Sequence, residues 1–468
     1  MTHPNILIIT TDHQRTDALG CYDSPWAVSP HIDALAAGGV RFDHCICQSP
    51  SCTPSRSSLW TGRYVHSLGA AAFRKAPLTA PLLTGPFQAA GYQLAQFGKF
   101  DLTEHRDEFD LCEGVDAPGQ VLGPWCEEVP PGTSDADCQI LRSPTTNYVI
   151  GGVNPLGQDR TLSNVLVTRA ERFLAAEAKP PFFLRVSINV PHMPFTPLPQ
   201  YFGVTDRDKI DLPIADPAEL ATKPQRESRH LRPFYGFDQL SADELRHCRG
   251  CFYDLCTELD AAIGRLMAAV RRHGFADDTI VMLHSDHGTT LGEHGLGTIR
   301  TFYEPVVKVP LIWSWPGRLE AASTVEDPVE LIDLMPTLID LAGLDCPSEV
   351  HGRSLRAQML GEASDPHRPT FSEYDTSLSP IGGADWIPEA ARWSPAHDRR
   401  VMVRRDGWKL ECNYGPSDYG EDGGLYDLQR DPLELDNLFS RPQHAAKVEA
   451  LKAVTVNWLE RTKGGLSA

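Results

Sequence analysis

Short apolar runs alternate along the chain with longer amphipathic segments. The runs "NILIITTD", "YQLAQFGK", "PFFLRVSINVPH" and "DDTIVMLHSDHG" have the length of buried strands, and polar residues follow each of them. The segment 251–272 shows the apolar spacing of an amphipathic helix. Strands that alternate with helices predict an α/β fold, with a doubly wound, largely parallel sheet flanked by helices. In such a sheet, the functional site is expected at the carboxyl ends of the strands.

One helix can be predicted with both of its ends. In "SPHIDALAAGGVRF", Ser29 is placed as the N-cap and Pro30 as the first helical residue. The pair Gly38-Gly39 ends the helix, and a strand is expected near Val40. The helix therefore connects two strands of the predicted sheet.

The pattern changes after about residue 345. "MVRRDGWKLECNY" and "GLYDLQRDPLELDNL" indicate strands joined by turns, followed by a closing helix. We therefore predict a catalytic α/β domain over 1–345 and a smaller C-terminal α+β domain over 346–468, with a short antiparallel sheet. Segments 115–160 and 373–398, rich in Pro and Gly, are predicted to be long loops.

Charge and composition exclude several classes of partner. The chain has 468 residues, with 43 Lys and Arg against 62 Asp and Glu, and its net charge of −19 argues against nucleic acid or an anionic membrane as partner. No apolar run approaches the roughly 18 residues of a membrane helix, and no secretory signal is evident. The 12 scattered cysteines show no disulfide framework, so we expect a cytoplasmic protein. An anionic substrate would then require a local cluster of basic residues.

One short motif suggests the chemistry. In "SCTPSRSSLWTG", Cys52 precedes Pro54 and Arg56, a combination that residue frequencies produce by chance in only about a few chains per hundred. The segment resembles the signature of the sulfatase family. In that family a dedicated formylglycine-generating enzyme oxidises the cysteine to formylglycine, and the hydrated aldehyde is the nucleophile. The resemblance implies that one hydroxyl attacks the ester, and that the other is then deprotonated to expel the oxyanion.

Further segments resemble later landmarks of the same family. "GYQLAQFGKFDL" resembles its second signature and supplies Lys99, but Asp101 stands where the family has a histidine. "VPHMPF" supplies His192, and "SDHGTTLGEHGL" supplies Asp286 and His287. The resemblance implies the alkaline-phosphatase-like fold of sulfatases and phosphonate monoester hydrolases.

Two aspartates at separate strand ends, Asp12 and Asp286, predict a site for one divalent metal ion. The resemblance implies that modified Cys52, His13 and His287 complete the ligand set. His13 departs from the Asp or Gln that the family commonly has, and an imidazole ligand makes Mn²⁺ more suitable than it is for an all-oxygen site. Ca²⁺ is the commonest metal of the family, so the choice between Ca²⁺ and Mn²⁺ stays open.

The remaining roles follow from charge and proton chemistry. Arg56, one helical turn after the cysteine if the motif opens a helix, would steady the diol or its oxyanion. Lys99 would bind non-bridging ester oxygens, and His192 would protonate the leaving oxygen. Arg300 lies about one position from the lysine that the family carries before a Tyr-Glu pair. Asp101 would be either the base that regenerates the aldehyde or a contact to the alcohol portion of the substrate.

The predicted function is hydrolysis of a sulfate monoester. The alternative with the same site is a phosphonate monoester or phosphodiester hydrolase. A phosphotransferase or phosphomutase would use Thr53 or Ser55 directly and would not need Cys52. A catalytically silent binding protein would hold no metal and an unmodified Cys52. The alcohol portion of the substrate and the oligomeric state are left open by the sequence.

Overall fold

The structure, a computed structural model, describes residues 3–114, 134–227, 231–375, 378, 399–414 and 422–463. In chain order the strands are β1 (Asn5–Thr11), β2 (Val40–Phe42), β3 (Cys45–Ile46), β4 (Gln93–Gly98), β5 (Leu111–Glu113), β6 (Leu141–Arg142), β7 (Val149–Gly151), β8 (Phe182–Ser187), β9 (Thr279–Ser285), β10 (Lys308–Val309), β11 (Leu311–Ser314), β12 (Ser323–Val325), β13 (Val329–Glu330), β14 (Thr370–Asp375), β15 (Arg399–Arg405), β16 (Trp408–Asn413) and β17 (Gly423–Asp427).

The α-helices of the described residues are α1 (Pro30–Ala37), α2 (Cys52–Thr61), α3 (Val65–Leu68), α4 (Thr84–Ala89), α5 (Leu162–Arg172), α6 (Pro217–Leu220), α7 (Arg232–Tyr235), α8 (Ala242–Arg272), α9 (Glu304–Val307), α10 (Leu334–Leu341), α11 (Arg356–Met359) and α12 (Ala445–Arg461). Pro30 opens α1 after Ser29, as predicted.

The central sheet has eight strands in the order β12-β2-β11-β9-β1-β8-β4-β5. Strand β11 is antiparallel to both of its neighbours, and the other neighbouring pairs are parallel. All four apolar runs that were predicted as strands lie in this sheet, as β1, β4, β8 and β9. The predicted largely parallel sheet is therefore confirmed.

Both faces of the sheet are buried by helices. Ile6 and Ile8 of β1 pack in one apolar core together with residues of α2 and α10. Leu7 and Ile9, which point to the opposite face, pack in a second core with residues of α1, α5 and α8. Helices on both sides of one sheet define the predicted doubly wound architecture.

Helix α8 is longer than predicted. It begins at Ala242 and not near residue 251, because Ser241 and Glu244 form a capping box. The Ser241 backbone N–H donates to Glu244 Oε2 at 2.8 Å, and the Glu244 N–H donates to Ser241 Oγ at 3.3 Å. The first turns are mostly polar, so apolar spacing missed them, although the Ser-x-x-Glu pattern marks the start.

The C-terminal part forms its own antiparallel sheet, in the order β14-β15-β16-β17. Helix α12 closes this unit, since its Val448, Leu451 and Trp458 pack with residues of β15 and β16. The predicted sheet and closing helix are confirmed, and the boundary between residues 345 and 346 stays a prediction. Residues 115–133 of the predicted loop 115–160 lie outside the described residues, and the hairpin β6–β7 interrupts the rest of it. The predicted loop 373–398 lies largely outside the described residues, and β14 extends into it.

None of the described helices combines the length and the apolar character needed to cross a membrane. None of the 11 cysteines in the described ranges forms a disulfide bond.

Candidate active site

Neighbouring parallel strands of the central sheet place polar residues at one edge. Asp12 follows β1, Asp286 follows β9 and Lys99 follows β4. The Asp286 backbone N–H donates to the Thr11 carbonyl at 3.2 Å, and that of Lys99 donates to the Ser187 carbonyl at 3.1 Å. The strand order β9-β1-β8-β4 therefore brings together side chains that are far apart in the sequence.

Gly98 makes the turn from β4 into the site possible. Its φ is +98°, and a Cβ at this position would collide with the Ser187 carbonyl oxygen. The close approach directs the next residue, Lys99, toward the end of β1. There its Nζ lies 2.7 Å from Asp12 Oδ2.

Cys52 is the first residue of α2, as expected if the motif opens a helix. Its Sγ lies 3.0 Å from His287 Nε2 and 3.6 Å from Asp12 Oδ1. Burial and the Asp12 carboxylate raise the pKa of the Cys52 thiol well above its usual value. A thiolate nucleophile is therefore disfavoured, and the position suits a nucleophile of another kind.

Arg56 connects the carboxylates of the site. Its Nε lies 2.7 Å from Asp286 Oδ2 and 3.3 Å from Asp101 Oδ2, and its Nη2 lies 3.3 Å from Asp12 Oδ2. Its Nη1 donates to Ser187 Oγ at 2.8 Å. Burial would lower the pKa of Arg56, but Asp286 and Asp12 raise it above its usual value. The guanidinium is thus a permanent buried cation one helical turn from Cys52.

Asp101 lies among these charges. It has a left-handed φ of 62°, which Asp tolerates better than most residues. Its Oδ1 accepts a hydrogen bond from Thr53 Oγ1 at 3.5 Å, and its Oδ2 lies 3.7 Å from Lys99 Nζ. Arg74 Nη1 lies 3.7 Å from Oδ1. The structure thus places Asp101 beside the predicted nucleophile, although its role there stays a prediction.

The ring of His13 lies close to two other histidine rings. The ring centre of His13 lies 4.2 Å from that of His192 and 4.9 Å from that of His287. The Nδ1 of His287 is hydrogen bonded to the Gly288 carbonyl at 2.8 Å, and the Nδ1 of His192 to the Met193 carbonyl at 2.6 Å. These backbone bonds leave the Nε2 atoms of both histidines for the chemistry of the site.

Four residues offer ligand atoms for a metal ion. One atom each from Asp12, His13, Cys52 and His287 lies within 4.8 Å of the others. Burial alone would raise the pKa of Asp12, but the positive charge of Lys99 lowers it. The pKa of Asp12 is held well below its usual value. A carboxylate that stays ionised is the ligand that a divalent cation requires.

His13 provides the test of whether a metal fits this cluster. Both of its ring nitrogens are buried, and neither has a hydrogen-bond partner in the described part of the chain. Burial and the neighbouring His192 lower the pKa of His13 well below its usual value, so the imidazole stays neutral. A neutral, unpartnered imidazole beside a carboxylate is a suitable metal ligand, and the residues present therefore fit a metal ion.

Asp286 lies next to this cluster but is not one of its four residues. Its Oδ2 accepts a hydrogen bond from Arg56 at 2.7 Å, and its Oδ1 accepts one from the His287 backbone N–H at 2.9 Å. Oδ1 also lies 4.0 Å from His287 Nε2. Its predicted role as a metal ligand stays a prediction.

Arg300 lies beside the loop that precedes Cys52. Its backbone N–H donates to the Pro50 carbonyl at 2.9 Å, and its φ is 73°. Its guanidinium carbon lies 5.9 Å from the ring centre of Tyr374. Within the described ranges, no ion pair joins this guanidinium to the other predicted site residues, so its role stays a prediction.

Two side chains that contact Arg56 or Asp101 were not predicted from the sequence. Ser187 hydrogen bonds to Arg56 and ends β8, so a polar residue at the end of a predicted strand was an available signal. Arg74 reaches Asp101 from a turn after α3, where no periodicity or motif marks it.

Comparison with known proteins identifies the family. A model of the sulfatase family matches residues 4–344. The chain belongs to the sulfatase family. This sulfatase is 24% identical to an arylsulfatase of Clostridium perfringens, over 99% of the chain and 95% of the relative. It is 26% identical to an N-acetylglucosamine-6-O-sulfatase of Bacteroides thetaiotaomicron, over 96% of the chain and 85% of the relative.

Solved structures share the fold of this sulfatase. A phosphonate monoester hydrolase of Silicibacter pomeroyi superimposes with a TM-score of 0.80 at 25% identity, covering 98% of this chain and 96% of that one. A protein solved in complex with its substrate D-glucosamine-2-N,6-O-disulfate superimposes with a TM-score of 0.75 at 21% identity, covering 98% of both chains. The alkaline-phosphatase-like architecture expected from the sequence is therefore confirmed.

Proposed function

We propose that this sulfatase hydrolyses a sulfate monoester to sulfate and an alcohol, with residue 52 as nucleophile. The observation that carries the proposal is the meeting of Cys52, Arg56, Lys99 and His287 at one edge of the sheet, in a chain that belongs to the sulfatase family. Formylglycine formed from Cys52 would supply a hydroxyl nucleophile, which the disfavoured thiolate does not.

The charges of the site suit an anionic ester. Arg56, Lys99 and Arg74 are three cations beside three carboxylates, those of Asp12, Asp101 and Asp286. One divalent cation would therefore leave an excess of two positive charges. Such an excess attracts a sulfate monoester, and local cations are needed because the whole chain carries −19.

We propose His192 as the general acid that protonates the leaving oxygen. Its Nδ1 hydrogen bonds to the Met193 carbonyl, so the proton on Nε2 is the one it can transfer. The ring centre lies 4.2 Å from that of His13, beside the metal-ligand cluster. An alcohol that leaves from the bound ester would receive its proton there.

The metal would be held by Asp12, His13, residue 52 and His287, and it would polarise the ester and the nucleophile. We propose Mn²⁺ over Ca²⁺, because two imidazoles in the ligand cluster suit a transition metal better than a hard alkaline-earth cation. Elemental analysis of purified protein should find one metal per chain, and Asp12→Asn should lose it. Stoichiometric metal in Asp12→Asn would contradict the proposed site, and stoichiometric Ca²⁺ in the wild type would contradict the choice of Mn²⁺.

The test of the reaction compares kcat/KM for 4-nitrophenyl sulfate and for 4-nitrophenyl methylphosphonate. We expect the sulfate to be the better substrate. The reverse order would instead support the phosphonate monoester hydrolase alternative.

Variants of the motif separate this chemistry from a phosphotransferase. Cys52→Ala should lose turnover of the sulfate ester, whereas Thr53→Val and Ser55→Ala should retain most of it. The two hydroxyls already hydrogen bond to Asp101 and to the Asp286 carbonyl, at 3.5 and 2.7 Å. Full activity in Cys52→Ala would instead support the phosphotransferase. The cytoplasmic location and the need for a formylglycine-generating enzyme stay predictions.

A further inference from the structure

The described residues enclose a cavity of about 540 Å³. None of the predicted catalytic or metal-binding residues lines it. Its lining comes from several segments that are far apart in the sequence, among them 15–17, 211–214, 304–308 and 432–435. The volume falls within the range of about 300–1,000 Å³ that is typical of small-molecule sites.

The lining of this cavity includes the apolar residues Trp26, Ile214, Leu433 and Leu435, which together are called its apolar wall. Ile214 is 49% exposed and Leu433 is 61% exposed, and both are among the few large apolar residues that the described surface leaves exposed. The Trp26 Nε1–H already donates to the Lys209 carbonyl at 2.9 Å, so the indole offers apolar ring surface. A ligand with an apolar body would cover these side chains.

The charged residues at one end of the cavity neutralise one another. Arg15 Nη2 lies 2.6 Å from Asp17 Oδ2, and Arg15 Nη1 lies 2.9 Å from Glu293 Oε1. Arg249 Nη1 also lies 2.9 Å from Glu293 Oε1. This end therefore offers little net charge to a ligand.

The charged residues around Lys308 carry one net positive charge. Arg404 Nη2 lies 3.3 Å from His44 Nδ1, and Arg404 Nη1 lies 3.5 Å from Glu304 Oε2. Lys409 Nζ lies 2.8 Å from Glu304 Oε1 and 2.7 Å from Oε1 of Glu434, so two carboxylates lie beside the three cations. Lys308 itself lines the cavity, and in the described ranges no ion pair within 4.0 Å neutralises its ammonium group.

Burial and a neighbouring cation both act on Lys308. Burial lowers the pKa of Lys308 below its usual value, and Arg404 lowers it further, although the carboxylates of Glu304, Asp43 and Asp17 oppose the shift. Burial, Arg404 and Lys308 together lower the pKa of His44 to about 4. An anionic group beside Lys308 would relieve the repulsion between Lys308 and Arg404.

We infer that this cavity is a second binding site, and that it takes an amphipathic organic anion. The apolar body of the ligand lies against Trp26, Ile214 and Leu433, and its sulfonate, sulfate or carboxylate group pairs with Lys308 and Arg404. The inference goes beyond the proposed hydrolysis and does not depend on it, since the cavity and the predicted active site share no residue.

The test uses 8-anilinonaphthalene-1-sulfonate, an aromatic sulfonate, as the probe with the full chain. The probe should bind with energy transfer from tryptophan, and Trp26→Phe should reduce that transfer although the chain has nine tryptophans. Lys308→Met should weaken binding by about tenfold, the effect of losing one interaction with a charged group. The exposed Lys179→Met is the matched control and should bind as the wild type does.

Two further measurements keep the inference open to refutation. Leu433→Glu places a carboxylate on an exposed residue of the apolar wall, and it should weaken binding even if Lys308→Met fails to fold. The uncharged N-phenyl-1-naphthylamine should bind wild type and Lys308→Met equally. Wild-type affinity for the sulfonate in both Lys308→Met and Leu433→Glu would overturn the inference. Loss of binding in Lys99→Met together with its retention in Lys308→Met would also overturn it, since the probe would then occupy the active site.

Discussion

Replacing Arg56 by Met should destabilise the metal-free protein strongly. Arg56 is 1% exposed and lies within 3.3 Å of carboxylate oxygens of Asp12, Asp101 and Asp286. Met keeps much of the side-chain volume but removes the charge and leaves three carboxylates close together. Breaking a buried ion pair costs about 3–5 kcal/mol, mainly because the partner is left as an unpaired buried charge. We therefore expect the free energy of unfolding to fall by about that amount.

The assay is urea denaturation in the presence of EDTA, followed by circular dichroism. Arg56→Lys keeps the charge but not the planar group of donors, so its loss should be intermediate. Arg142→Met is the matched control, because Arg142 contacts Asp135 at the same short distance of 2.7 Å but on the surface. That variant should unfold at nearly the same urea concentration as the wild type.

Metal should reverse part of this effect. A divalent cation at Asp12 would replace part of the positive charge that Arg56→Met removes, so added Mn²⁺ should stabilise this variant more than the wild type. A loss of less than about 1 kcal/mol for Arg56→Met in EDTA would refute the reasoning, because it is the size expected of a solvent-exposed pair.

Three further predictions concern proton transfer and buried charge. His192→Ala should slow hydrolysis of an alkyl sulfate by about 100-fold or more but that of 4-nitrophenyl sulfate far less, because nitrophenol leaves without a proton; equal losses would remove the general-acid role. If Asp101 is the base, Asp101→Asn should release one alcohol per site in a burst and then stall, and mass spectrometry should find sulfate retained on residue 52. A raised KM without a burst would instead make Asp101 a substrate contact. Burial and the Glu411 carboxylate raise the pKa of Glu227 to about 8. The folded protein therefore favours the protonated form of Glu227, and the stabilisation from that form is complete below pH 4.5 and is lost as the pH rises to 8. Wild-type stability relative to Glu227→Gln should therefore fall by about 1.4 kcal/mol per pH unit in this window, measured by urea denaturation, and a pH-independent difference would contradict the assignment.

The parts of the fold that repeat a local pattern could be predicted from the sequence. The four buried strands and their polar ends were visible because buried parallel strands are continuous apolar runs. Asp12 and Asp286 could be expected at one edge of the sheet, because each of them directly follows one of these strands. The polar start of α8 was missed because apolar spacing carries no information about a turn that lies in solvent.

Contacts between distant segments could not be predicted in the same way. The hydrogen bond between Arg56 and Ser187 forms because α2 and β8 are neighbours in the fold. No local sequence pattern encodes that they are neighbours. Arg74 reaches Asp101 from an irregular turn, and the guanidinium of Arg300 lies near Tyr374 of the C-terminal sheet. The second cavity likewise forms from several segments that the sequence separates widely.

The central claim is that residue 52 acts as formylglycine and not as a thiol. The most direct measurement is the mass of the proteolytic peptide that contains residue 52, together with sulfatase activity, for protein made with and without a formylglycine-generating enzyme. We predict that active preparations show the mass loss of a –CH₂SH group converted to –CHO, and that turnover rises in proportion to the converted fraction. Full activity in a preparation whose peptide keeps the unmodified thiol mass would contradict the account.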